Sequence, residues 1–434
     1  MMKQVIASCE NKFQPFVERK LHQIKAGFLL ESELSNAARL EEAVFELCTC
    51  APRVLTQVLP AYTEDLTFEE PDRRIKAIKL LGAIFSVGTF RTDFGQVFSE
   101  FKRRTGDKDA DVRKTMISVI QHLVLKRPEL AAGFLQEPYI VNGEEREAPM
   151  IRLVIDHEES VRKQAVLAGV DICLHHGEVV NLAFLEHIGG RVRDKKESVR
   201  RAAAEGLSQL WHKHCAPFDR NALTHAVETK FDWIPSKIVG LNNMDQASKN
   251  LAAHCVDICL SATAVKRGVE AVALDFFASL DDPATELFLM SLRARKFFRE
   301  AFLKLCDARK SDGPGYDMEE GAEEEIAAQI KKLSAAFLDA SKAQESFEKL
   351  EKTQVSKVWE ILEGMVRNPK GTMEVNKQQD DVVKRLGPRS PLLDFVKQLI
   401  AMLVDPHFGF DFVNHVMKGV SSKSKSKGEA ARTQ

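Results

Sequence analysis

The sequence predicts an all-α protein, an α-solenoid built from HEAT-type helix pairs. One observation is a recurring pattern of an acidic residue, four further positions, a β-branched apolar residue and a basic residue. It reads Glu70…Ile75-Lys76, Asp107…Val112-Arg113, Asp156…Val161-Arg162 and Asp194…Val199-Arg200. A second is the period, because the apolar positions lie 37, 49 and 38 residues apart and a HEAT helix pair takes roughly 40–47 residues. A third is the helical periodicity of most remaining segments, with little strand-like alternation.

The first half of the chain reads as a series of helices with one interruption. Leu40–Leu47 is one predicted helix, and the prolines of Ala51-Pro52 and Pro71 each suit the first turn of another. After Asp107 the apolar residues recur at helical spacing, which predicts one buried helix face. Tyr139-Ile140-Val141 predicts a short extended piece in a loop that runs to Pro149 and lengthens the 49-residue interval.

The second half divides into further helices around a break. A helix pair is predicted over 226–262, with Pro235 at a helix start, and helices follow over 268–280 and 284–306. Residues 368–381 are polar and are predicted to form a loop, before helices over 392–404 and 411–420. The predicted domains are therefore a HEAT solenoid over 1–306, an acidic linker over 307–325, further helical repeats over 326–420 and a basic disordered tail over 421–434.

Composition narrows the class of protein. The chain has 434 residues, 44% hydrophobic and 29% charged, with a net charge of −1, which predicts a globular chain whose bulk charge favours neither nucleic acid nor membranes. No apolar stretch reaches the ~18 residues of a membrane span. Most of the eight cysteines lie in apolar helical patterns, which is typical of a reducing compartment.

The recurring acid and arginine have a structural interpretation first. The acid is expected to lie at the turn between two helices and to cap the second helix, while the valine faces the core. The arginine is expected to reach the acid of a neighbouring repeat, which would form a ladder along the solenoid. The alternative is that some of these basic residues are exposed for an acidic partner.

Local basic patches are the candidate contact surfaces. The segment from Arg191 to Lys213 carries a net charge of +4, and a second patch runs from Lys102 to Lys114. The candidate partner-binding residues are Lys195, Lys196, Arg200 and Arg201, with Arg113 and Arg162 as weaker candidates. The alternative is an ordinary solvated helix face.

Sequence motifs for catalysis are scarce. The chain has no nucleotide-binding glycine loop, no H-E-x-x-H and no G-x-S-x-G, so a non-enzymatic protein is predicted. Groupings such as Cys173 with His175 and His176 lack the two separated ligand pairs of a structural zinc site, and no metal or cofactor is predicted from the residues.

Several segments in collinear order resemble one family. They include the run Arg74-Ile75-Lys76, the Asp194 to Arg200 region and Ser390-Pro391-Leu392-Leu393; the full set covers residues 51–55, 58–60, 74–81, 111–113, 193–200, 206–210, 233–234, 278–281, 342–347, 386–388 and 390–393. This succession resembles the sister-chromatid cohesion protein of the precocious dissociation of sisters family, a HEAT-repeat regulator of cohesin. Family members are longer, so the chain is expected to correspond to their central part.

The resemblance implies a nuclear, chromatin-associated scaffold that binds the kleisin subunit of cohesin and works with a Wapl-type release factor. It implies roles in cohesion during mitosis and meiosis, in cell division and in DNA repair. It also implies inositol hexakisphosphate as a ligand of some members, bound in a basic pocket whose residues the resemblance does not assign in this sequence. The alternative function is a HEAT scaffold of another system, such as a nuclear transport receptor or a phosphatase scaffold.

Overall fold

The computed structural model describes residues 59–86, 95–141, 143–218, 230–260, 269–311, 322–337, 339–352, 356–368, 372–387 and 389–403, together with positions 4, 12, 14–16, 19, 46 and 227. The helix starting at Ala51-Pro52, the helix over 411–420 and the tail over 421–434 lie outside the described residues. The chain separates into two compact units, Met1–Leu210 and Trp211–Gln434. Unit 1 and unit 2 denote them below.

The described part of unit 1 from residue 59 onwards consists mainly of helix pairs, which confirms the predicted fold class there. Its helices are α1 (Leu59–Leu66), α2 (Pro71–Phe85), α3 (Gly95–Arg103), α4 (Ala110–Lys126), α5 (Ala131–Leu135), α6 (Pro149–Val154), α7 (Glu159–His175), α8 (Leu182–Gly190) and α9 (Glu197–His214), whose last turn belongs to unit 2. The longer helices α2, α4, α7 and α9 are the second members of successive pairs. Helix α2 packs on α4, and α4 packs on α7.

Local signals in the sequence explain where these helices begin. Pro71 stands at the first turn of α2, as predicted. Asp109 is the N-cap of α4, and its carboxylate accepts hydrogen bonds from the backbone N–H groups of Asp111 and Val112 at 2.8 and 3.1 Å. The apolar stripe of α4 is buried as its spacing predicted, with Val112, Met116 and Ile120 all fully buried.

A two-stranded hairpin interrupts the third pair, and its first strand is the extended piece that the sequence predicted. Strand β1 (Tyr139–Val141) pairs antiparallel with β2 (Glu144–Arg146), with Tyr139 opposite Arg146. The Tyr139 hydroxyl lies 3.1 Å from Thr105 Oγ1 and accepts a hydrogen bond from Arg152 Nη1 at 2.8 Å. These contacts fasten the hairpin to the helix pairs on either side of it.

Unit 2 is also helical in its described part. Its helices are α10 (Ile234–Val239), α11 (Gln246–Cys259), α12 (Val269–Ala278), α13 (Asp282–Ser311), α14 (Ala322–Ser334), α15 (Ala340–Lys352), α16 (Ser356–Arg367), α17 (Thr372–Leu386) and α18 (Leu393–Leu403). Pro235 stands at the start of α10, as predicted. Helix α13 packs against α14, α16 and α18, and the core between them includes Phe302, Phe347 and Leu399.

Two predicted boundaries in this half are wrong. The linker predicted over 307–325 is helical at both ends, because α13 continues to Ser311 and α14 begins at Ala322. The charged residues after position 306 are held by packing: the Arg309 guanidinium lies 3.8 Å from the Trp359 ring centroid, and Lys310 pairs with Glu363 at 2.7 Å. The glutamates at 323–325 occupy the first turn of α14, where the helix dipole favours negative charge.

The loop predicted over 368–381 is also wrong, since most of that segment lies in α17. Its exposed residues include Lys377, Asp380 and Lys384. Val382 is fully buried and Leu386 packs against the core of the unit, so a narrow apolar stripe is enough to dock the helix. None of the helices in the described part of the chain combines the length and apolarity needed to cross a bilayer.

Candidate partner-binding surface

The arginines of the recurring pattern link neighbouring helix pairs. Arg113 Nη2 donates to Asp156 Oδ1 at 3.0 Å, and Arg162 Nε and Nη2 donate to the two carboxylate oxygens of Asp194, both at 2.9 Å. In each case the arginine and the acid belong to consecutive copies of the pattern. The expected ladder of charge pairs is therefore confirmed between these repeats.

Each ladder arginine also holds the turn in front of its own helix. Arg162 Nη1 donates to the carbonyls of Asp156 and His157 at 2.8 and 2.9 Å, and Arg200 Nη1 donates to the carbonyl of Asp194 at 3.0 Å. Carbonyls at a turn need such donors when no helix N–H can reach them. One side chain thus joins the turn of its own repeat to the acid of the next.

The acids of the pattern do not cap the following helix, contrary to expectation. Asp107, Asp156 and Asp194 each accept a hydrogen bond from the backbone N–H two residues later, at 2.9 to 3.0 Å. They therefore stabilise the turn itself, because the helix begins three residues after each acid and its capping position is further along the chain.

The first copy of the pattern was predicted in the wrong register. The residue that pairs with the next repeat is Arg74, whose Nη2 donates to Asp107 Oδ1 at 2.9 Å, and its Nη1 donates to the carbonyl of Phe68 at 2.7 Å. Arg74 is buried, whereas Lys76 is exposed and Glu70 makes no side-chain capping bond. Phe68 thus occupies the position that the acid holds in the other copies.

Three of the six candidate contact residues are buried, which corrects their prediction as surface contacts. Arg113 and Arg162 are each 3% exposed and Arg200 is 8% exposed. For Arg113 and Arg162 the physical reason is their place in the ladder, where the guanidinium must lie between two repeats to reach its partners. Arg200 instead holds the carbonyl of Asp194 in the turn before its own helix. These arginines stabilise the repeats and present no charge to a partner.

Lys195, Lys196 and Arg201 are exposed. The Lys196 ammonium lies 3.5 Å from Glu159, and Arg201 lies 3.3 Å from Glu197. A hydrogen bond from Ser198 lowers the pKa of the Glu159 carboxyl, and Lys196 lowers it further against the opposing effect of burial. Such exposed pairs are weak, so these three cations remain available to an incoming carboxylate.

Two further lysines follow the ladder arginines directly. Lys114 comes after Arg113 and Lys163 comes after Arg162, as Arg201 comes after Arg200. Lys163 was missed by sequence reasoning, and Lys114 was noted only as part of a wider patch. The signal was present, because each of the last three copies of the pattern ends in two consecutive basic residues. The second of them is half-buried at Lys114 and exposed at Lys163 and Arg201.

The histidine and cysteine groupings serve helix packing. Cys173, Cys255 and Cys259 are buried and form no disulfide, and His212 Nδ1 lies 3.1 Å from the Cys259 carbonyl oxygen. Within the described residues, no group of three or more His, Cys, Asp or Glu side chains is placed to hold a metal ion.

A family model described as "Sister chromatid cohesion protein PDS5 protein" matches residues 1–434. The chain belongs to the PDS5 family. Sister chromatid cohesion protein PDS5 homolog A of Arabidopsis thaliana is 23% identical over 429 residues, which are 98% of this chain and 26% of that protein. PDS5 homolog B of Mus musculus is 21% identical over 97% of this chain and 28% of its own length.

The chain therefore spans little more than a quarter of these PDS5 relatives. PDS5 homolog A of Danio rerio agrees, with 21% identity over 88% of this chain and 29% of its own length. A solved structure described as "Structure of the Pds5-Scc1 complex and implications for cohesin function" matches with a TM-score of 0.73 at 16% identity, covering 91% of this chain and 59% of that one. The likeness confirms the HEAT-type α-solenoid as the fold class of this PDS5 chain.

Proposed function

We propose that this chain is a non-enzymatic, cohesin-associated scaffold that binds the kleisin subunit and regulates sister-chromatid cohesion. The observation that carries the proposal is the match of the PDS5 family model to residues 1–434. The similar structure of a Pds5-Scc1 complex supports a kleisin as the partner. A solenoid of stacked helices also suits this role, because it offers an extended surface rather than an enclosed reaction site.

The mechanism we propose is capture of an extended acidic segment of the kleisin by exposed cations of unit 1. Lys195 and Lys196 lie in the turn before α9, and Arg201 lies in its second turn. Exposed charges of this kind raise the association rate and fix orientation more than they add affinity. Binding should therefore weaken as the salt concentration rises.

Charge reversal tests this surface. The triple variant K195E/K196E/R201E should reduce capture of the kleisin in a pull-down at low salt, because the partner's carboxylates would meet carboxylates. The matched control is K237E/K249E/K304E, which reverses three exposed lysines of unit 2. Circular dichroism should show normal helicity for both variants. Equal capture by the two triples would remove Lys195, Lys196 and Arg201 from the proposal.

We further propose a nuclear location, association with chromatin mainly through cohesin, and cooperation with a Wapl-type release factor. Affinity purification from nuclear extract followed by mass spectrometry tests all three together. Cohesin subunits among the co-purified proteins would support the proposal. Nuclear-pore proteins or a phosphatase in their place would favour a HEAT scaffold of another system.

A further inference from the structure

We propose that a groove between α2 and α4 binds an extended acidic peptide segment. The groove encloses about 680 Å³ on the face of unit 1 formed by the second helices of successive pairs. The lining residues that matter here are Lys79 of α2, Lys114, Ser118, His122 and Lys126 of α4, and Gln164 of α7. This surface is distinct from Lys195, Lys196 and Arg201, and the proposal requires no cohesin subunit.

Polar residues of α4 line the groove along its length. Lys114, Ser118, His122 and Lys126 are spaced four residues apart, so consecutive members lie next to one another on adjacent turns. The row winds by about 120° around the helix axis from Lys114 to Lys126, and all four residues line the groove. At a rise of about 1.5 Å per residue, Lys114 and Lys126 are separated by about 18 Å along the axis. An extended chain covers that distance in about five or six residues, so one short segment can meet both lysines.

The shape of the groove favours a single peptide chain. A Cβ atom on Gly82 would lie 2.1 Å from Val119 Cγ1, so α2 and α4 approach closely and give the groove a fixed floor. Gln164 Nε2 donates to Ser118 Oγ at 2.8 Å and to the Lys114 carbonyl at 3.0 Å, which fixes the wall on the α7 side. Helices whose axes lie about 8–10 Å apart are in contact, so the groove is a depression above the contact of α2 and α4 that can seat an extended chain along its length.

The charges in the groove favour an acidic occupant. Asp111 lies 2.5 Å from the Lys114 ammonium and neutralises it. Lys79 and Lys126 have no carboxylate within ion-pair distance in the described part of the chain. Two uncompensated lysines and a histidine therefore line a groove whose single lining carboxylate is already paired, and carboxylates of a bound peptide would complete the charge balance.

Fluorescence anisotropy with a defined probe tests the proposal. The probe is a fluorescein-labelled octapeptide, Gly-Glu-Ala-Glu-Ala-Glu-Ala-Gly, and the full chain is titrated into it at about 50 mM salt, where exposed charges are weakly screened. The variant K79E/K126E should weaken binding at least about tenfold, which corresponds to about 1.4 kcal/mol. The matched control K249E/K304E, which reverses two exposed lysines of unit 2, should bind the probe as the unchanged chain does.

Specific outcomes would overturn the assignment. Equal binding of the matching peptide with Gln in place of Glu would show that charge is not recognised. Equal loss of binding in both double variants would show a general charge effect. A 20-base-pair DNA duplex that bound more tightly than the probe, and was lost in K79E/K126E, would assign the surface to nucleic acid. The neutral variant K79Q/K126Q provides the same comparison if charge reversal lowers the helicity of the chain.

Discussion

Replacing Arg162 with Met isolates the contribution of the ladder to stability. Arg162 is 3% exposed and donates two hydrogen bonds to the Asp194 carboxylate and two to the carbonyls of Asp156 and His157. Methionine retains much of the apolar stem and removes the guanidinium. The Asp194 side chain, 2% exposed, then retains Arg191 at 3.1 Å and the Lys196 backbone N–H at 3.0 Å.

The expected cost follows from the charge that stays behind. Removing one partner of a buried ion pair costs about 3–5 kcal/mol, because the other charge remains in a poorly solvated place. For a unit the size of Met1–Leu210, each kcal/mol lowers the melting temperature by about 2–4 °C. The Arg162→Met variant should therefore melt about 6–20 °C below the unchanged chain.

Urea unfolding followed by circular dichroism measures this effect. The matched control is Arg201→Met, since Arg201 is exposed, pairs with Glu197 and Glu205 on the same helix, and should cost about 0–1 kcal/mol. In the double variant Arg162→Met/Asp194→Leu the buried carboxylate is removed together with its buried guanidinium partner, and the remaining cation, Arg191, is partly exposed. The cost of the double variant should therefore be smaller than the sum of the two single changes. An Arg162→Met variant as stable as Arg201→Met would refute the ladder as a stabilising device.

Three further predictions concern pH, helix packing and thiol reactivity. Burial alone would raise the pKa of Asp194, but hydrogen bonds from Arg162 and a backbone N–H lower it below its ordinary value. The stability that this carboxylate contributes is then present above the unfolded pKa, near 3.9, and is lost as the pH falls through the folded pKa. The free energy of unfolding in urea, measured at a series of acidic pH values, should therefore depend less on pH for Asp194→Asn. Gly206→Ala should lower the free energy of unfolding in urea by about 1–3 kcal/mol, because the new Cβ would lie 2.5 Å from a valine methyl carbon of α7. The control Gly190→Ala should not destabilise the chain, because its Cβ would meet nothing within 4 Å. Burial and a neighbouring carboxylate raise the pKa of Cys306 to about 12, so mass spectrometry after alkylation at pH 8 should find it modified only in urea, and rapid labelling of the native chain would contradict its burial.

The period of the pattern predicted the helix pairs of the described part of unit 1, because the same helix pair recurs there. The first strand of the hairpin could be predicted from Tyr139-Ile140-Val141, a run of residue types that favour extended structure, whereas the polar second strand, Glu144–Arg146, could not. The register of the first copy of the pattern could not be predicted from spacing alone. Glu70 has the correct distance to a basic residue, but the guanidinium of Arg74 has the donors that can hold the Phe68 carbonyl and the Asp107 carboxylate together.

The candidate surface was only partly predictable from the sequence. Which residue of a basic doublet is buried depends on the angular position of each residue around the helix axis. Successive residues on a helix are rotated by about 100°. With Val199 in the core, Arg200 still lies at the buried edge of the helix and Arg201 reaches solvent. A sequence shows two adjacent cations and not the acid that a neighbouring repeat places against the first.

The same geometry determines how charge on such a solenoid should be counted. Between Arg191 and Lys213 the sequence carries a net charge of +4, but this sum includes residues that no partner can reach. Asp194 is neutralised by Arg162 and Arg191, and Arg200 is buried. In unit 1 the exposed cations of this segment are Arg193, Lys195, Lys196 and Arg201, partly offset by Glu159 and Glu197. In the doublets Arg162-Lys163 and Arg200-Arg201 the first residue is buried and the second is exposed. Recognition can therefore change at the second position while stability depends on the first.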